Sequence, residues 1–249
     1  MRNYGQYCPI ARASAVFAER WTPIILRNLL NGCTTFTDIA EGAPGIPRSL
    51  LTSRLRELER VGVVRSSANP SGRGAVYELT QAGRDMKELL YALGTWGERW
   101  LELAPEHADP YVVLWAWCQW YLVRDRLPDH RVVVRFEFPD QALSNRWFWL
   151  VVDGEHTEVC RKDPGFDVDL EVEAESMALA EWHLGRVRWN DAVRAERIRV
   201  AGPRRLGRML PTWNRRSAFA GVQPVRVPEP EPRITVEGRG RVRMSKQTR

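Results

Sequence analysis

The sequence predicts an α+β protein built in two parts, and three observations carry that prediction. Apolar residues recur at helical spacing through most of the first hundred positions. Short runs of alternating or continuous apolar residues, broken by Gly, Pro, Asn and Asp, follow between residues 131 and 172. Charge is also partitioned along the chain. Residues 1–104 hold 13 Lys+Arg against 10 Asp+Glu, residues 105–202 hold 12 against 18, and residues 203–249 hold 12 against 3. A polyanion partner therefore suits the two ends and not the middle. The 249 residues provide enough chain for two modest cores.

Residues 9–19 read as a first helix, with Cys8 at the N-cap, Pro9 at the first helical position, and Ile10, Ala13, Val16 and Phe17 facing inward. Residues 21–30 form a second, turning Trp21, Ile24, Ile25, Leu29 and Leu30 to a core. A short third helix over 35–40 is entered through Thr34 or Thr35 as cap, and GAPGIP is the turn that follows. The helix over 47–61 carries Leu51, Leu55, Leu58 and Val61 on one side and Ser49, Thr52, Ser53, Arg56 and Arg60 on the other. Pro47 suits its first position and Gly62 its end. Two strands over 63–66 and 75–79 enclose the loop NPSGRG. A long helix over 81–103 then carries Met86, Leu89, Leu90, Leu93, Trp96, Trp100 and Leu101.

This order is the outline of a winged helix-turn-helix over residues 1–104, with the fourth helix as the reading helix. The expected partner is double-stranded operator DNA. Arg48, Ser49, Thr52, Ser53 and Arg56 lie at the start of that helix, where side chains reach base edges. Arg73 at the wing tip suits the neighbouring minor groove, and Arg65 at the wing base suits the DNA backbone. The apolar stripe on the long helix is buried either by the same helix of a second subunit, giving a homodimer, or by the downstream part of the chain.

The segments CPI, ERWTPIILRNLL, LTSRLRELERVGVV and YELTQAG resemble the HxlR-type family of bacterial winged-helix regulators. That resemblance covers about the first 100 residues. It implies a homodimeric DNA-binding transcription factor, here expected to act as a repressor, and Pro47 stands where the family usually has a Ser cap. It also implies that Cys8 senses oxidants or electrophiles. A thiol at a helix N-terminus is favoured as thiolate, although a single Cys is more often a small buried hydrophobe.

The second part begins after the linker APEHAD and spans residues 105–220. Residues 110–127 read as a helix that is apolar almost all round and hence buried. Strands are expected over 131–138, 147–152, 157–161 and 166–172, a helix over 175–184, a short strand over 198–200 and a final helix over 203–210. A mostly antiparallel sheet with one long and several small helices makes this part α+β. Its segment from FDVDLEV to RRLGRML resembles the C-terminal part of the sterol-carrier-protein-2-like domain. The likeness lies in a strand leading into a short helix, a loop with Gly185, and an I-x-V-x-G step into the last helix. It implies a site for a hydrophobic small molecule or lipid. Trp115, Trp147, Trp149 and Trp182 are the candidate pocket residues, with core filling as the alternative role.

No Ser/His/Asp or paired-carboxylate arrangement stands out, His156 and His183 have no metal partners in the pattern, and no cofactor is implied, so enzymatic activity is not expected. Four scattered cysteines without metal-ligand spacing point to a reduced, cytoplasmic chain. Residues 112–123 fall short of the roughly 20 apolar positions a membrane span needs, and no signal peptide is recognised. The tail over 221–249 is basic, lacks apolar periodicity and is expected to be disordered. The alternative reading of the whole is a lipid carrier that uses the winged helix only to dimerise.

Overall fold

The computed structural model describes residues 4–70, 72, 74–154 and 156–225. Arg73 and the tail beyond residue 225 lie outside the described residues. The first half runs α1 (Pro9–Phe17), α2 (Thr22–Leu30), α3 (Phe36–Glu41), α4 (Arg48–Arg60), β1 (Val64–Ala68), β2 (Ala75–Leu79) and α5 (Gln81–Trp100). Ile25, Leu26, Leu29, Ile39, Leu51, Leu55 and Leu58 form its core. These are the residues at helical spacing, so burial of one face sets the arrangement.

Local chemistry fixes the boundaries. Thr35 caps α3 in a reciprocal box with Asp38, which satisfies two amides left open at the helix start. Gly62 takes φ +74° and ends α4, while β1 and β2 pair antiparallel from Val64 opposite Leu79 to Ala68 opposite Ala75. Pro47 sits at the N-cap of α4 and not at its first helical position as expected, since the helix starts at Arg48. Trp21 lies outside α2 with φ +76°, a region that bulky side chains rarely occupy. Ile10 points outward and is 76% exposed, because α1 packs only through its later turn, at Val16 and Phe17.

The second half runs α6 (Pro110–Trp120), β3 (Val132–Glu137), β4 (Trp147–Asp153), β5 (His156–Cys160), β6 (Leu170–Ala174), α7 (Ser176–His183), α8 (Trp189–Arg194), β7 (Ile198–Ala201) and α9 (Arg204–Met209). The sheet order is β5-β4-β3-β6-β7. All neighbours are antiparallel except β3 and β6, so the chain crosses over between β5 and β6. Three elements differ from expectation. α6 ends at Trp120 and a 3-10 turn at Arg124–Arg126 follows. β6 starts at Leu170, because Phe166–Val168 lie outside the ladder and Asp169 meets β3 only at Val133, through its amide and its carboxylate. The short α8 was not anticipated.

Strand alternation divides the sheet into two unlike faces. Val134, Phe136, Phe148, Leu150, Leu170 and Val172 point inward with Trp117 and Trp182 among the buried residues beside them. The opposite face carries cross-strand pairs, Arg135 with Glu171 at 2.9 Å and Arg199 with Glu173 at 2.6 Å.

The two halves are packed against one another. The α6 residue Trp115 reaches Glu41 through its indole N–H at 3.4 Å. Its ring also lies where a Cβ on Gly42 would stand. Arg27 donates to the Gly42 carbonyl at 2.6 Å and stacks over Trp120 at 5.1 Å. Burial lowers the pKa of its guanidinium. On the other flank, Arg186 pairs with Glu98 of α5 at 2.7 Å. Phe219 stacks on Tyr91 and fills the space left by Gly94, and the amide of Val225 donates to the Arg99 carbonyl. This terminal segment lies on α5 like a strap.

Candidate nucleic-acid interface

The α4 helix is anchored by its apolar stripe, which leaves Arg48, Ser49, Ser53 and Arg56 exposed and Thr52 half-exposed on the opposite side. Two interactions orient this face. The Arg48 guanidinium stacks over Phe36 of α3 at 4.9 Å, which holds it beside the preceding helix. The Thr52 hydroxyl donates to the Arg48 carbonyl at 3.0 Å, leaving its acceptor lone pairs outward. Arg54 belongs to the frame instead. It is 14% exposed, pairs with Glu19 at 2.7 Å and Glu57 at 2.6 Å, and donates to the Arg20 carbonyl. Glu57 is thereby drawn away from the exposed arginines, and its pKa is lowered by the Arg54 guanidinium against the opposing effect of burial.

Arg65 at the wing base is engaged by Glu78 across the hairpin, with two donors on one carboxylate oxygen at 2.6 and 2.9 Å. Arg73 of the expected set lies outside the described residues, between Gly72 and Gly74, both of positive φ. The wing also pairs with the α2–α3 connection, where the Tyr77 amide donates to the Thr34 carbonyl at 2.8 Å. The hairpin is therefore fixed to the helices rather than free at its base.

Residues 16–105 match the family model described as HxlR-like helix-turn-helix. An HTH-type transcriptional regulator of Mycobacterium bovis, Mb3122, is 36% identical over 119 residues, covering 42% of this chain and 73% of that protein. The chain belongs to the HxlR-like helix-turn-helix family. YvaP of Bacillus subtilis, another HTH-type transcriptional regulator, is 30% identical over 102 residues, or 40% of this chain and 94% of that one. Among solved structures, the reduced form of the regulator YodB from B. subtilis aligns at 26% identity with a TM-score of 0.34, covering 37% of this chain and 93% of that chain. The HxlR-like family implies a DNA partner for the first half.

Cys8 stands at the N-cap of α1, half-exposed, with its side chain making no cap bond. The other thiols differ. Burial pushes the pKa of Cys33 up to about 11, and that of Cys118 higher still. The four candidate pocket tryptophans do not share one cavity. Trp147 and Trp149 alternate with Phe148 and Leu150 along β4, so they lie on the sheet face opposite Trp182. Trp115 is spent on the contact with the first half. Trp182 alone of the four lines the described cleft of about 830 Å³ beside α8, β7 and α9. No group of three or more His, Cys, Asp or Glu among the described residues could hold a metal ion, and no described helix is long and apolar enough to cross a membrane.

The sequence reading missed Arg27, Asn28 and Arg54, which hold the frame beneath the interface. Asn28 is fully buried and donates to the Ile39 carbonyl at 2.9 Å. A polar residue inside an apolar helix pattern is the signal that could have found it.

Proposed function

We propose that the chain is a sequence-specific DNA-binding transcription regulator that acts as a homodimer and represses from a twofold operator. One observation carries the reading. The outer face of α4 presents Arg48, Arg56 and Arg60 together with three hydroxyls, with the half-exposed Glu59 only near its far end, while nearby Glu57 is engaged by Arg54. Arginine in this position bridges a guanine O6 and N7, worth about 1–3 kcal/mol of discrimination for a good pair. Ser49, Thr52 and Ser53 suit phosphates and register. Dimer formation is supported by the open stripe on α5, where Leu89, Leu93, Trp96 and Trp100 are 45, 44, 54 and 41% exposed. The half-exposed thiol of Cys8 supports a response to electrophiles. The sterol-carrier-like reading of the second half is supported only locally, by the β6-to-α7 step, Gly185 at φ +76°, and the β7–Gly202–α9 step. Under that reading an apolar ligand would be the signal.

The test is binding to an operator selected from random duplexes. Arg48→Ala with Arg56→Ala should weaken operator binding at least tenfold while changing affinity for unselected DNA far less. Unchanged operator affinity would remove α4 from the readout and leave the carrier reading.

A further inference from the structure

We propose that the second half binds an amphipathic anion, a carboxylate or phosphate carried on an apolar body, in the cleft between α8, β7 and α9. At about 830 Å³ the cleft lies within the roughly 300–1,000 Å³ of ordinary small-molecule sites. Its apolar lining comes from Val193, Val200, Pro203 and Pro211, with Trp182 and Trp189 almost wholly buried beneath, and Arg126, Arg188, Arg204, Arg208 and Arg216 line it as well. No Asp or Glu lines it.

That segregation is unusual for this molecule. On the sheet, Arg131, Arg135, Arg146, Arg197 and Arg199 each pair with a carboxylate. In the cleft, Arg188 pairs with Asp191, and Arg126 reaches only a carbonyl at 3.5 Å. Arg204 and Arg208 form no ion pair among the described residues. Arg216 is set in place by its backbone, at φ +65°, with its amide donating to the side chain of Asn214. The neighbouring His183 adds no positive charge near neutrality, because burial pushes its pKa down to about 4.

Charges of one sign lining a concave site raise the potential within it. An anion there would relieve their mutual repulsion. The lining asks for something more than a bare ion, since Val193, Val200, Pro203 and Pro211 offer apolar contact beside the arginines. The inference is independent of DNA binding by α4. It gives the ligand reading of the second half a location and a charge, and it rests on that reading only for the apolar part.

Calorimetric titration of the full chain with decanoate and with decyl phosphate, each below its micelle concentration, tests this. Both should bind, whether the anion is a carboxylate or a phosphate, and at least tenfold tighter than decanol, decyltrimethylammonium or inorganic phosphate. The variant Arg204→Glu with Arg208→Glu, both at exposed positions, should weaken the anions at least tenfold and leave the thermal midpoint intact. Arg216→Gln should weaken them as well. Equal binding of decanol would overturn the anionic part while sparing an apolar site. Equal binding of inorganic phosphate would overturn the apolar part. No binding of either anion, or a charge-reversed variant that loses affinity for random duplex but not for decanoate, would overturn the proposal.

Discussion

His183 shows how one buried side chain ties stability to pH. It is 8% exposed, its ring meets Tyr121 edge-on at 4.7 Å, and the Ser217 amide donates to its carbonyl. Burial holds its pKa at about 4, against an unfolded value of about 6.5. The folded state therefore binds fewer protons than the unfolded one between these values. Stability contributed by the neutral imidazole is fully present above pH 6.5 and is lost as pH falls from there to 4, amounting to about 3 kcal/mol. His183→Gln should flatten that part of the profile. Urea midpoints of both proteins between pH 4 and pH 7 check it, and parallel slopes would refute the assignment. At the same scale, Arg48 and Arg54 are both arginines on α4, yet one stacks outward over Phe36 and the other is consumed by two glutamates. Spacing identifies which side of a helix a residue occupies. It does not reveal partners such as Glu19 that arrive from another helix.

The α5 helix contains glycines whose substitutions should differ in sign. A Cβ at Gly83 would collide with the Val63 carbonyl and the Leu79 side chain, where the wing base meets the helix. Helix propensity favours Ala by about 1 kcal/mol, but the collision with backbone outweighs it, so Gly83→Ala should destabilise by about 1–3 kcal/mol. Gly97 has open space around its Cα, and Gly97→Ala should be neutral or gain up to about 1 kcal/mol. Denaturant midpoints decide both. The helices of the first half were legible because each buries one stripe and is closed by a recognisable signal, Thr35 or Gly62. The six-residue α8 was not, because WNDAVR is too short for periodicity to show. The start of β6 was misplaced because FDVD alternates as a strand does, although Phe166–Val168 make no pairing with β3 and only Asp169 reaches it. The candidate pocket was misjudged for a related reason. Counting tryptophans ignores the pleat, which sends Trp149 and Phe148 to opposite faces.

For the whole molecule, the proposed dimer depends on what the second half leaves uncovered. Tyr91, Gly94 and Glu98 face the strap and Arg186, while Leu89, Leu93, Trp96 and Trp100 remain open. The downstream half therefore covers a different flank of α5 and leaves the stripe itself uncovered. Leu93→Glu with Trp96→Glu should yield a monomer by sedimentation velocity and reduce operator affinity at least a hundredfold, since a lone module of modest basic charge keeps only half of the contacts. A dimer that persists would move the interface elsewhere. The seat of Phe219 against Gly94 also bears on how the molecule is made. During synthesis α5 leaves the ribosome long before the segment that covers it, so the winged module is complete in sequence while one flank is bare. Assembly is consequently ordered, with the sheet folding between two parts of a contact that closes last. Truncations upstream of Phe219 should expose that flank and lower soluble yield even if the helices themselves still form.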